Sequence, residues 1–213
     1  IERLKQDVGK LIEDAYEQGL RARDYIKRAT LPTFVSSGGE VLELHDREQY
    51  QDFYLINVTL ENLAHLSTRL YQFDKSKFLD QHEWPWSVFL NDLRITSEIL
   101  ESPSEFLVYL QWRTQLNELV DVHSPDEADY LMYFLREGGV LPSPPEAGSL
   151  NITGHTEPLD RYYSFLAGDV AYGEKPRLEL PETFRELIRG LELTAEPGFT
   201  GITTFLLRVD QDT

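Results

Sequence analysis

Residues 84–113 read WPWSVFLNDLRITSEILESPSEFLVYLQWR, and their pattern sets a strand beside two helices. Residues 86–90 (WSVFL) form a short apolar run of strand length. Asn91 or Asp92 then begins a helix through Leu93, Ile95, Ile99 and Leu100. Ser102-Pro103-Ser104-Glu105 marks a second start, with Ser at the N-cap, Pro at the first helical position and Glu at the third. Two otherwise unpaired backbone donors can be satisfied by that arrangement. The helix that follows carries Phe106, Leu107, Tyr109, Leu110 and Trp112. A strand feeding two helices predicts a helix-rich fold of the α/β to α+β type.

Working toward the N-terminus, Gly38-Gly39 signals a turn, Glu40 to Leu44 alternates weakly, and Phe53 to Val58 (FYLINV) predicts a strand covered on both faces. Thr59 is placed to cap a helix carrying Leu60, Leu63, Ala64, Leu66 and Leu70. Before these, Ile1, Leu4, Val8, Leu11, Ile12, Ala15, Ala22, Tyr25 and Ile26 recur at helical spacing, which predicts a long amphipathic helix to about Arg28. Thr30-Leu31-Pro32 ends it. Gln18 lies three residues after Ala15 and four before Ala22, so it interrupts the apolar stripe. Within the stripe its amide needs partners; at the edge it bonds to backbone or water.

Toward the C-terminus, Ser124-Pro125-Asp126-Glu127 repeats the helix-start signature, and Ala128, Leu131, Phe134 and Leu135 follow before Gly138-Gly139 stops the helix. Residues 139–160 are rich in Pro, Gly and Ser and read as a surface loop, a candidate for disorder or for a lid. Short helices are expected from Arg161 to Phe165, from Pro181 through Leu191, and from Gly201 to Val209. A soft boundary falls near residue 120, dividing an α/β portion (1–120) from a mostly helical one (121–213).

With 213 residues, 41% of them hydrophobic, the chain can bury a core without staples. It has no cysteine, which excludes disulfides, thiolate metal sites and cysteine nucleophiles. The net charge of −17 argues against a nucleic-acid binder relying on a broadly basic surface. That charge is uneven: residues 1–30 hold seven basic residues against six acids, a balance of +1, and the remainder carries −18. No apolar run approaches the roughly 18 residues of a membrane span, and IERLKQDVGK lacks the apolar core of a signal peptide. A cytoplasmic protein without a membrane partner is expected. Because the chain begins at Ile, the expectation is also that it is the later part of something longer or a processed product.

Several chemistries lack their motifs. Neither G-x-S-x-G, G-x-G-x-x-G nor G-x-x-x-x-G-K-[ST] occurs. His45, His65, His82, His123 and His155 form no H-E-x-x-H and read as surface or packing side chains. There is no D-x-[DN]-x-[DN]-G loop for Ca²⁺. A metal-dependent nuclease needs clustered carboxylates to hold Mg²⁺ and a nearby Lys, and E-x-K on a strand supplies both on one face. The residues two before each lysine are Arg3, Val8, Tyr25, Phe73, Lys75 and Gly173, so the chain contains no (D/E)-x-K.

That absence bears on a resemblance. The runs RLKQDVGKLIEDAYEQGLRARDYI (3–26), FYLINVTLENLAHLSTRLY (53–71), the 84–113 stretch and DEADYLMYFLREG (126–138) resemble bacterial restriction-endonuclease-like proteins of the PD-(D/E)XK type related to the NERD nucleases. The resemblance covers most of the chain and rests on apolar and helix-start patterns. It implies a partial restriction-endonuclease-like layer with few strands, the portion C-terminal to the catalytic strands, whose Asp and E-x-K lie upstream of Ile1. It further implies Mg²⁺ as cofactor, Gln18 as an auxiliary catalytic residue, and Arg21, Lys27 and Arg28 as contacts to DNA or another nucleic acid. The function so implied is part of a Mg²⁺-dependent nuclease in bacterial defence or DNA processing. Two other readings stand beside it: a non-catalytic acidic subunit docking to a basic protein through its helical region, and an acidic mimic of nucleic acid.

Overall fold

A computed structural model describes residues 2–46, 50, 52–60, 85–119, 121–140 and 149–208. The chain divides into two compact units, residues 1–57 and 58–213. Residue 120, the boundary expected from the sequence, falls inside the second unit.

In the first unit, helix α1 (Glu2–Arg28) runs the full predicted length. Ile12 and Tyr16, one turn apart, are buried on it. Beyond the Pro32 break, β1 (Thr33–Val35), which the sequence reading missed, pairs antiparallel with β2 (Val41–Glu43), Phe34 opposite Leu42. The turn between them works because Gly39 adopts φ 82° and the Ser36 hydroxyl accepts from the Glu40 N–H at 3.1 Å. Tyr25 fastens the helix to this hairpin. Its hydroxyl accepts from Thr33 N–H at 3.1 Å, and its ring meets Phe34 edge-on at 5.7 Å.

Strand β3 (Ile56–Thr59) starts later than the predicted Phe53. It is not covered on both faces: Val58 is exposed, whereas Asn57 and Thr59 are buried. Polar side chains take the inner positions because they find partners there, Thr59 donating to the Val88 carbonyl at 3.5 Å. The helix expected over residues 60–70 lies outside the described residues from 61 onward.

The second unit is built on the stretch that decided the fold. Strand β4 (Trp86–Phe89), the neighbour of β3, leads directly into α2 (Leu90–Ile99), which starts one residue before Asn91 and has no side-chain cap. Helix α3 (Pro103–Leu119) follows as predicted. Its Val108, Tyr109, Leu110, Trp112, Arg113 and Leu116 are all buried, so neighbours enclose the helix on several sides. Helix α4 (Glu127–Glu137) starts later than its Ser-Pro signature indicates: Asp126 is the N-cap and accepts from the Ala128 N–H at 2.9 Å. Ser124 bonds instead to the Asp126 backbone. At its other end Gly138 adopts φ 66° as the cap.

Part of the expected 139–160 loop is strand. Between α3 and α4 runs β5 (Asp121–His123), and β6 (Ser149–Asn151) pairs with it in parallel, Val122 opposite Leu150. Of the same expected loop, residues 141–148 lie outside the described residues. Helix α5 (Glu157–Ala167) begins four residues before Arg161, and α6 (Glu182–Thr194) and α7 (Phe199–Arg208) close the unit. Seven helices and six short strands in two-stranded sheets, among the described residues, make this a helix-rich α/β protein.

The core sits around α3. Tyr109 meets Phe134 edge-on at 5.1 Å and Trp86 at 5.6 Å, and it stacks on Trp112 at 6.0 Å. Burying each such ring contributes on the order of 2 kcal/mol. Arg208 binds α7 to this centre by donating to the Gln111 amide oxygen at 3.1 Å.

Candidate functional site

On α1, Gln18 is exposed, as are Arg21, Lys27 and Arg28. At about 3.6 residues per turn, Gln18, Arg21 and Arg28 share a face, and Lys27 lies on the opposite one. The helix therefore brings three of the four sequence-predicted residues together and separates the fourth. Lys27 Nζ sits 5.0 Å from the Phe53 ring. The two arginines have a carboxylate one turn earlier: Glu17 lies 3.7 Å from Arg21, and Asp24 lies 3.1 Å from Arg28. Such exposed pairs hold weakly, but they leave the face with no excess positive charge.

Within the second unit the most strongly held charges are structural. Glu127 Oε1 accepts from Trp86 Nε1 at 2.9 Å, Tyr109 OH at 2.8 Å and Arg113 Nε at 2.8 Å. Its Oε2 accepts from Arg113 Nη2 at 3.1 Å, and the guanidinium lies 3.8 Å over the Tyr130 ring. Burial works against the Arg113 charge, yet the Glu127 carboxylate overrides it and holds the group above its ordinary range. Burial, then Glu127, pushes the Tyr109 phenol well up. The Glu127 carboxylate thus satisfies Trp86, Tyr109 and Arg113 together, so the network serves the core rather than a substrate.

A second cluster sits under a surface cleft. Arg185 bridges Glu101 at 2.9 Å and Glu105 at 3.7 Å, and donates to the Leu178 carbonyl at 2.8 Å. Glu105 also accepts from the Glu101 N–H, and its own N–H donates to Ser102 Oγ at 3.2 Å, completing the helix start read from the sequence. The cleft above, of about 960 Å³, is lined by Arg136, His155, Lys175, Arg177 and Arg185 together with Glu157, Glu174 and Glu179. Met132, Leu135, Leu180 and three prolines supply its apolar wall.

One wall is fixed by Asp129, buried on α4, which accepts from the His155 N–H at 2.8 Å. Arg136 Nη1 lies 2.9 Å from His155 Nδ1. A guanidinium can only donate, so Nδ1 accepts and Nε2 carries the ring proton. A second part of the lining, from residues 174–181, depends on Gly173. A Cβ there would lie 2.5 Å from the Arg161 carbonyl oxygen and 2.8 Å from Phe165 Cβ, so only glycine lets the chain pass this close to α5.

Comparison with protein-family models, curated proteins and solved structures finds no match. The site is therefore read from its own chemistry. A Mg²⁺ site needs several oxygen ligands, and among the described residues no three of Asp, Glu, His and Cys are placed to hold an ion. No helix among them is long and apolar enough to cross a membrane.

Sequence reading missed Arg113, Glu127, Arg185 and the cleft. Arg113 gave one usable signal, a charge in a helix apolar almost all round. Glu127 looked like a capping-box carboxylate and is the core's counter-ion. The cleft residues come from α4, the 154–158 segment, the 174–181 segment and, with Arg185, α6, which only the fold assembles.

Proposed function

We propose that the chain is an acidic, non-catalytic interaction module that docks to a basic protein partner. The observation that carries this reading is where the charge sits. Residues 58–213 hold 26 acids against 12 basic residues. Glu105, Glu127 and Asp129 are buried against polar partners, while Glu98, Asp126, Asp160, Asp169 and Glu186 are exposed. A surface of this sign attracts a basic partner over about 10 Å at moderate salt. The test is titration of a fluorescent lysine-leucine alternating octapeptide, with binding expected at low salt and weakened as salt rises. Absence of binding at low salt overturns the reading.

A second reading is favoured by the common face of Gln18, Arg21 and Arg28 on α1. In it the chain is the C-terminal part of a Mg²⁺-dependent nuclease-fold protein acting on DNA or another nucleic acid, with the catalytic Asp and E-x-K upstream. The neutralising acids Glu17 and Asp24 place it second. Its test is metal-dependent cleavage by the protein carrying the upstream sequence. If Gln18→Ala leaves that cleavage unchanged, the proposed role of Gln18 is lost.

A further inference from the structure

Four of the twelve basic residues of the 58–213 unit line the one cleft described above, against three of its 26 acids. The local charge balance is thus opposite to that of the unit. The three acids are not equivalent to open counter-ions. Glu174 accepts from the Tyr172 hydroxyl, Glu179 has an interaction of its own, and Glu157 sits in the first turn of α5, where the helix dipole favours a negative charge. Among the cations, Arg185 is buried in its ion pairs and Arg136 is bound to Glu137 and His155. Lys175 and Arg177 carry no ion pair among the described residues. They sit on the segment that Gly173 admits, and His155, whose Nε2 is a donor, also lines the cleft.

We propose that this cleft binds an acidic peptide segment with aliphatic side chains, its carboxylates meeting Lys175 and Arg177 and its aliphatic groups packing on Met132, Leu135, Pro158 and Pro176. The volume, about 960 Å³, is at the upper end for small-ligand sites and far exceeds an inorganic anion. The apolar part of the lining is aliphatic and proline-rich, with no Phe, Tyr or Trp and with His155 as its one ring, which suits aliphatic peptide side chains. Charge complementarity selects the sign of the partner, and the apolar wall gives the contact affinity beyond charge alone.

The probe is a fluorescein-labelled glutamate-leucine alternating octapeptide, followed by anisotropy at low and moderate salt. The expected result is saturable binding that weakens at least tenfold in the double variant Lys175→Glu with Arg177→Glu, whose circular dichroism and unfolding midpoint match the parent because Arg177 is exposed and Lys175 only half-buried. The same variant should leave binding of the lysine-leucine octapeptide undiminished, so failure here is distinguishable from failure of the basic-partner reading. The proposal is overturned if the acidic peptide does not bind, if the double variant binds it equally well, or if millimolar inorganic phosphate displaces it fully, which would mark a small-anion site.

Discussion

Arg113 and Glu127, fourteen residues apart on successive helices, are joined by two hydrogen bonds, with Arg113 2% and Glu127 5% exposed. The pair links α3 to α4, and Trp86 adds β4 to the same carboxylate oxygen. Its geometry leaves no buried charge uncompensated, which is the condition under which such a pair is tolerated.

Removing one partner should therefore be far worse than removing both. Glu127→Ala strands a buried guanidinium and two further donors, and should cost about 3–5 kcal/mol. The double variant Arg113→Met with Glu127→Leu should recover much of that loss. Urea unfolding of the single and double variants measures the difference; a double variant no more stable than Glu127→Ala would refute this account of the core.

The start of α4 offers a local test. Asp126, whose side chain accepts from the Ala128 N–H, should cost about 1 kcal/mol when changed to Ala and much less when changed to Asn, which caps as well. Ser102→Ala at the start of α3 should cost a similar amount through the lost Glu105 N–H bond. Thermal or chemical denaturation reads both, and equal losses for Asp126→Ala and Asp126→Asn would point away from capping.

Local rules made several elements legible before the fold was seen. The stripe in α1, the apolar run of β4 and the Ser-Pro start of α3 each depend on neighbours within a few residues. Where tertiary partners decide, the reading failed. Asn57 and Thr59 turn inward against sequence polarity because Thr59 reaches Val88, and β6 forms in a Gly- and Pro-rich stretch because β5 lies beside it. The exposed Gln18 shows the same limit: Ile12 and Tyr16 define the buried side of α1, and Ala22, counted in the apolar stripe, is exposed. The cleft was illegible because its walls are distant in sequence.

Gly173 makes the cleft wall sensitive to one methyl group. Gly173→Ala would force the new Cβ against the Arg161 carbonyl and Phe165, and should cost on the order of 1–3 kcal/mol as an overpacking change. It should also weaken the acidic octapeptide. Gly190→Ala, on α6 with open space around it, is the matched control and should be neutral or stabilising by up to about 1 kcal/mol.

Asp92, in the first turn of α2, carries a pH signature. Partial burial, followed by the charges of Asp126 and Glu127, raises its carboxyl from 3.8 to about 6. Between those values the folded state binds more protons at this position than the unfolded chain, so its contribution to stability falls as pH rises. The contribution is whole below the unfolded value and is lost as pH passes through about 6. Asp92→Asn cannot ionise, and its amide replaces a charge that Asp126 and Glu127 repel. Relative to the parent, the variant should therefore gain stability from about pH 4 to about pH 6 and level off above that. Urea denaturation at intervals across that range measures the difference directly. Parallel stability profiles for parent and variant would mean that neither burial nor the acids at the start of α4 raise the Asp92 carboxyl.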